Sequence, residues 1–315
     1  MIDRRQEIIG SIMRFASRGG YTTICADESL SYTFDLILRN DEHIIVIKVM
    51  NNVGLLTEEA SRSVIAISRF LGAHPLIVGV SNRDERIEDG VVYSRYSLPI
   101  ISPQTLVSYL KEGEEPTVRA GPGGFYVEID ADKLKRIREQ RSLSLGEIAS
   151  AIGTTRRTVL MYQSGMSASI DIALKMEEFL GEEIMEYVSF LWDVRREEFK
   201  AGFKKMREFE RMVNEEITRK GFDIYPIRRS IVNFLMEDSE SSYLGGIEEE
   251  MSRVERKIEY LSELTQMSNK DGILIVKKEV EKPERYKIPI ISYSELEHIH
   301  DKDELKGVIK ERRNS

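Results

Sequence analysis

Seven cations crowd into one short stretch of this sequence. Lys133, Lys135, Arg136, Arg138, Arg141, Arg156 and Arg157 lie between Lys133 and Gln163 against only Glu139 and Glu147, a local net charge of +5. Ammonium and guanidinium groups at that density can neutralise phosphates. The chain as a whole carries 54 acidic and 46 basic residues, a net charge of −8, so its surface at large repels nucleic acid and only a local patch could hold it. Other reactive residue types are scattered. Cys25 is the sole cysteine, which excludes an internal disulfide or a multi-thiolate zinc site within one chain and points to the cytoplasm. His298 and His300 would face opposite ways on a helix and make a poor metal pair. His43 and His74 sit in or beside strand-like sequence without Cys, Asp and Ser partners at motif spacing. No cofactor, metal site or nucleophilic triad is expected. Gly121-Pro-Gly-Gly124 lacks the spacing of a phosphate-binding loop and reads as flexible chain.

Elements must hold these groups in place, and the basic stretch carries clear signals for them. Asp130 to Gln140 reads as a helix with Leu134 and Ile137 inward. Ser144-Leu-Gly-Glu147 is a capping box opening a second helix that runs to Ile152, because the Ser and Glu side chains can each satisfy an orphan backbone N–H. Gly153 allows the positive φ of a tight turn, and Thr155 caps a third helix through Tyr162. Further helix follows from about Ser169 to Leu180.

The 315 residues suffice for two or three domains, and with 41% hydrophobic and 32% charged residues the composition is that of a soluble globular chain. Apolar runs such as Ile44 to Ile47 are far shorter than the ~20 residues that span a bilayer, and the start of the chain has no signal-peptide core, so neither a membrane nor an export role is expected. Before the basic stretch, a helix over Arg5 to Ser17, strands over Tyr21 to Cys25, Thr33 to Arg39 and His43 to Val49, a helix over Thr57 to Leu71 and a strand over His74 to Val80 follow from apolar periodicity and β-branched content. Beyond it, an apolar stripe from Phe199 and Phe203 through Met206, Phe209, Val213 and Ile217 marks a core-facing helix.

The spaced residues Leu134-x-x-x-Arg138, Leu143-Ser144, Ile148-Ala149-x-x-Ile152-Gly153, Val159-x-x-Tyr162 and Gly165, then Ala173-Leu174-Lys175-x-x-Glu178-x-Leu180-Gly181, resemble the Cro/repressor type of helix-turn-helix DNA-binding domain. The resemblance implies that the third helix lies in the major groove of double-stranded DNA. It puts Thr155, Arg156, Arg157 and Thr158 at the groove-facing start, Leu160 and Met161 nearby, and Ser144 at the start of the second helix. Leu145 stands where many members carry a DNA-contacting Gln.

The strand Phe34 to Leu38, the turn Asn40-Asp41, the strand Ile44 to Lys48, a helix and the strand Pro75 to Gly79 resemble the core of the restriction-endonuclease and archaeal Holliday-junction-resolvase superfamily. That family needs an Asp and, about a strand later, Glu-x-Lys, the two carboxylates holding Mg²⁺ and the Lys steadying water or phosphate. Asp35 and Lys48 are present here. Val46 occupies the Glu position and cannot ligate a cation, so the cleavage site reads as dismantled unless Glu28, Glu58 or Glu59 supplies a displaced ligand.

Arg95-Tyr-Ser-Leu-Pro-Ile-Ile-Ser102 returns as Arg285-Tyr-Lys-Ile-Pro-Ile-Ile-Ser292 with six of eight positions identical, which implies an internal duplication. The second copy looks eroded where Glu237-Asp-Ser-Glu-Ser-Ser242 replaces strand-like sequence. The expected fold class is therefore α/β, mixed-sheet and resolvase-like in two flanking domains, with an all-α helix-turn-helix domain between them. The divisions are 1–112, a linker at 113–124, the helix-turn-helix at 125–190 and a more degenerate copy at 191–315. The whole architecture resembles the archaeal helix-turn-helix transcriptional regulators. It implies a non-catalytic regulator acting as a homodimer on a pseudo-palindromic operator; a resolvase-type enzyme and a protein-interaction scaffold are the alternatives. Copy one could pair with copy two of the same chain or of its neighbour, and pairing between chains is favoured.

Overall fold

The computed structural model describes residues 4–26, 33–193, 206–227, 230–281 and 283–314. In chain order, α1 (Arg4–Arg18), β1 (Thr22–Cys25), β2 (Leu36–Arg39), β3 (Ile44–Asn52), α2 (Glu58–Leu71), β4 (His74–Asn82), β5 (Glu85–Arg86), β6 (Val91–Arg95), β7 (Leu98–Ile101) and α3 (Pro103–Glu112) form the first copy. A hairpin of β8 (Val118–Gly121) and β9 (Gly124–Val127) then precedes α4 (Ala131–Gln140), α5 (Leu145–Ile152), α6 (Arg156–Tyr162), the short β10 (Ala168–Ser169) and α7 (Ile170–Leu180). The second copy follows as α8 (Glu208–Arg219), β11 (Asp223–Pro226), β12 (Phe234–Glu237), β13 (Ser242–Glu248), α9 (Met251–Ser268), β14 (Asp271–Val276), β15 (Ile290–Ser292), α10 (Tyr293–His298) and α11 (Lys302–Asn314). Mixed α/β sheets thus flank a helical region. Phe199 and Phe203 of the apolar stripe lie outside the described residues; Phe209, Val213 and Ile217 are buried on α8.

The elements gather into two compact units, the first holding Met1–Gly19, Val49–Leu56 and Leu76–Trp192. Within it β4 runs parallel to β7 (Ile77 opposite Ile100), β7 antiparallel to β6, and β6 parallel to β8 (Val91 opposite Val118). Antiparallel pairing carries on through β9 to β10. The stretch 113–124, expected as a linker, is therefore strand in part, because Val118–Gly121 finds a ladder partner on each side. Gly123 and Gly124 adopt φ of +85° and +152° at the reversal, and Tyr126 Oη donates to the Pro122 carbonyl at 2.8 Å. The Gly-Pro-Gly-Gly run is a hairpin turn rather than a tether.

The second unit holds Gly20–Lys48, Thr57–Pro75 and Asp193–Ser315. It contains β1, β2, β3 as far as Lys48, α2 and all of the second copy. The two stretches share a strand order. The first copy is ordered β1-β2-β3-β4-β7 and the second β11-β12-β13-β14-β15. In both, the first two pairings are antiparallel and the last is parallel. Asp35 N–H donates to the Ile47 carbonyl at 2.8 Å, and Asn233 N–H to that of Gly245 at 2.7 Å. Ser102 and Ser292 each cap the following helix by accepting from the N–H three residues on.

Two expectations change here. The second copy's strand pair has not eroded: β12 and β13 form a tight antiparallel hairpin. Its turn is made by Asp238, whose Oδ1 accepts from the Glu240 and Ser241 N–H groups at 2.9 and 2.7 Å, so the polar run builds a turn instead of breaking a strand. Pairing of the copies, favoured between chains, occurs within one chain. Arg39, last in β2, donates to the Met267 carbonyl in the last turn of α9. Reciprocally, Glu237, last in β12, lies 3.9 Å from Arg69 in the last turn of α2. Lys270 Nζ stands 5.4 Å from the Phe70 ring centroid. Equivalent ends of the two copies thus meet crosswise, the signature of a pseudo-two-fold contact.

Candidate functional site

Each helix of the central module starts and stops where its sequence dictates. Asp130 caps α4 by accepting from Lys133 N–H at 2.8 Å. At α5 the capping box is complete: Ser144 Oγ accepts from Glu147 N–H at 3.2 Å, and Glu147 Oε2 accepts from Ser144 N–H at 2.8 Å. Hydrogen bonding to the carboxylate from the Ser144 backbone N–H, and then from the Ser144 side chain, holds the Glu147 carboxyl below its usual range. Removing such a cap costs a helix about 1 kcal/mol. Gly153, with φ of +72°, closes α5 through its N–H on the Ala149 carbonyl and turns the chain into α6. Thr155 Oγ1 accepts from Thr158 N–H at 3.1 Å, and the two hydroxyls are 2.9 Å apart.

One apolar cluster fixes the helices against each other. It contains Leu134 and Ile137 of α4, Ile148, Ala149 and Ile152 of α5, Val159 and Tyr162 of α6, and Ala173, Met176 and Leu180 of α7, with Val127 and Ile129 beneath. Leu145, at the position where a polar contact is common in this type of domain, is half-buried against the same cluster. A polar clasp shuts the far side: Arg141 donates to the Leu180 carbonyl and pairs with Glu182 at 2.6 Å.

Packing splits α6 into two faces. Val159 and Tyr162 are buried, whereas Arg156, Arg157, Leu160 and Met161 are exposed, the last two at 53% and 44%. Thr155 and Ser144 are exposed at the starts of α6 and α5, and Thr158 is half-buried. Among the described residues Lys133, Lys135, Arg136, Arg156 and Arg157 make no ion pair, while Arg138 pairs with Glu139 at 3.2 Å and Arg141 is spent on the clasp. The free cations of the patch are thus fewer than the sequence count. Sequence reasoning missed Gly146. The Arg156 guanidinium lies over it so closely that a Cβ there would come within 2.9 Å of Arg156 Nε. The signal was a glycine in the first turn of a well-capped helix, where alanine is the better helix former.

The positions expected from the nuclease motif lie together on β3 and at the start of β2. Val46 faces Ile37 in the ladder and is fully buried, and Asp35, just before β2, is 2% exposed. Lys48 is half-buried on β3. The second copy carries Asn233, Leu244 and Gly246 at the positions equivalent to Asp35, Val46 and Lys48, as the matched backbone hydrogen bonds establish. Glu28 lies outside the described residues, and Glu58 is paired with Arg62 at 2.6 Å. Among the described residues no three His, Cys, Asp or Glu side chains converge as a metal site. A valine side chain in the second-ligand position does not fit Mg²⁺, which takes oxygen ligands. His298 Nδ1 lies 2.6 Å from the Ser294 carbonyl and His300 Nδ1 3.1 Å from Glu304, so the two histidines serve separate helices. No described helix is long and apolar enough to cross a membrane.

A helix-turn-helix set in a chain with nuclease-like mixed sheets defines a class of protein, and comparison with known proteins places the chain in it. A family model described as a PD-(D/E)XK superfamily domain matches residues 5–116, and one described as helix-turn-helix matches residues 134–187. A relative from Methanococcoides burtonii is 32% identical across 97% of this chain and 96% of its own length. Others from Picrophilus torridus (31%, covering 99% of both chains) and Pyrococcus horikoshii (30%, covering 98% of both) match as fully. All three carry the provisional name HTH-type transcriptional regulatory protein. The chain belongs to this archaeal family. No solved structure matches it.

Proposed function

We propose that the protein is a sequence-specific regulator of transcription that binds double-stranded DNA, has no catalytic activity, and works in the cytoplasm as a homodimer on a pseudo-palindromic operator. The one-sided exposure of α6 carries this reading. Val159 and Tyr162 anchor the helix, and its other face offers two unpaired guanidinium groups beside two exposed apolar side chains. In a helix-turn-helix this helix enters the major groove. Arg156 and Arg157 then reach guanine edges or phosphates, Leu160 and Met161 meet thymine methyl groups, and Thr155, Thr158 and Ser144 approach the sugar-phosphate backbone.

The buried Val46 supports the absence of catalysis, because the first copy offers Asp35 without a second carboxylate at the motif position. One module per chain supports the homodimer: each covers a half-site, and two modules about one helical turn apart give specificity. With the copies' matched ends engaged within the chain, contact between protomers falls on other surfaces. The test is a mobility-shift titration against duplexes selected from a random library. Arg156→Ala/Arg157→Ala loses affinity by ~1–3 kcal/mol for an arginine that reads guanine, with the fold intact. Parental affinity in the double variant would defeat the proposal.

A further inference from the structure

In the second copy a buried ammonium sits at a point where the backbone gathers oxygen atoms. Lys257, on α9, is 4% exposed. Its Nζ donates to Asn233 Oδ1 at 2.7 Å and to the Ile247 carbonyl, with Glu248 Oε2 3.8 Å away. Two of the side chains are held from behind. Asn233 Oδ1 also accepts from Ile247 N–H at 2.8 Å, and Glu248 Oε1 accepts from the Glu249 and Glu250 N–H groups at 3.0 and 3.1 Å. The lysine stem crosses Gly246, where a Cβ would stand 3.3 Å from Lys257 Cε and 2.7 Å from Leu261 Cδ1. The glycine therefore keeps the approach from α9 open.

Register gives this arrangement its meaning. Asn233 and Gly246 are the second copy's equivalents of Asp35 and Lys48, so the strand lysine is gone and a helix lysine enters over the vacated position. A carboxylate, an amide oxygen and a peptide carbonyl form an all-oxygen set of the kind hard divalent cations take. With an ammonium already at its centre, the set does not fit a metal ion as it stands. We infer that Lys257 is a built-in cation that has taken the place of a divalent metal ion in the second copy, making the charge that organises this site part of the chain. Burial lowers the Lys257 pKa to about 8, with the Glu248 charge working in the opposite direction, so the group stays mostly protonated at neutral pH. The inference is independent of DNA binding, since no residue of the central module takes part.

Thermal unfolding of the full-length chain in EDTA and in Mn²⁺ tests it. The parent should melt at the same temperature in both. Lys257→Ala should melt several degrees lower in EDTA, regain much of the loss in Mn²⁺, and lose that gain when Glu248→Gln is added. Lys257→Met, which keeps the stem and removes the charge, should melt lower in both, because Glu248 is left buried without a counter-ion. Lys257→Met melting with the parent would overturn the inference by showing that the charge is dispensable. Lys257→Ala without a gain from Mn²⁺, folded or not, would show that the oxygens make no cation site. Stabilisation of the parent by Mn²⁺ through Glu248 would show that the metal's place is still open.

Discussion

Replacing Gly146 with alanine separates the stability of α5 from the work of Arg156. The new Cβ would stand 2.9 Å from Arg156 Nε and 3.2 Å from Nη2, so the guanidinium must swing away from the first turn of α5. Gly146 is not among the glycines with positive φ, and the group it displaces is the end of a flexible side chain, so the fold absorbs the change. Alanine is favoured over glycine within a helix by about 0.5–1 kcal/mol. With a urea m-value of about 3 kcal/mol/M, the unfolding midpoint rises by about 0.2–0.3 M. DNA affinity moves the other way. Losing a guanidinium contact of ~1–2 kcal/mol weakens binding about 5- to 30-fold. Urea unfolding followed by circular dichroism and a mobility-shift titration on a selected duplex read the two effects separately. A raised midpoint with parental affinity would refute the expectation that displacing the Arg156 guanidinium from Gly146 weakens DNA binding.

Three further outcomes follow from named groups. Burial would raise the Asp238 pKa, but hydrogen bonds from Lys306 and from the Glu240 and Ser241 N–H groups outweigh it and bring the carboxyl down from 3.8 to about 2. A depressed carboxyl adds stability that is complete above its unfolded-state pKa and is lost as pH falls through about 2. The parent should therefore lose stability against Asp238→Asn between about pH 4 and 2, and parallel pH profiles would contradict this. Duplex, branched and single-stranded DNA should survive incubation with Mg²⁺ or Mn²⁺; cutting that disappears in Asp35→Ala would restore the nuclease. Sedimentation at micromolar concentration should give twice the monomer mass, and a monomer mass on protein and complex alike would exclude the homodimer.

How much of this was legible in the sequence depended on whether the cause was local. The starts of α5 and α6 were readable because Ser144, Glu147, Gly153 and Thr155 act on backbone groups within a few residues. The β8–β9 hairpin was not, since Val118–Gly121 becomes a strand only by lying between β6 and β9, and Gly121-Pro-Gly-Gly124 has the composition of a tether. The β12–β13 turn was hidden by the charge of its own residues, whose side chains bond back to the chain. Intrachain pairing of the copies could not be read at all, because the same Arg39 and Glu237 contacts would serve between chains. The expectation for the α6 residues rested on the resemblance to Cro/repressor-type domains, whereas the contact of Gly146 with Arg156 emerged only once two helices were packed. Lys257 meets Asn233 across 24 residues, a partnership no periodicity reveals.

Dimethyl sulfate protection of guanine N7, which faces the major groove, tests the central claim most directly. On a selected duplex the parent should protect guanines in two half-sites about one helical turn apart, and Arg156→Ala/Arg157→Ala should lose those protections while its circular dichroism stays parental. An unchanged protection pattern in the double variant would contradict the claim that α6 reads DNA through the major groove.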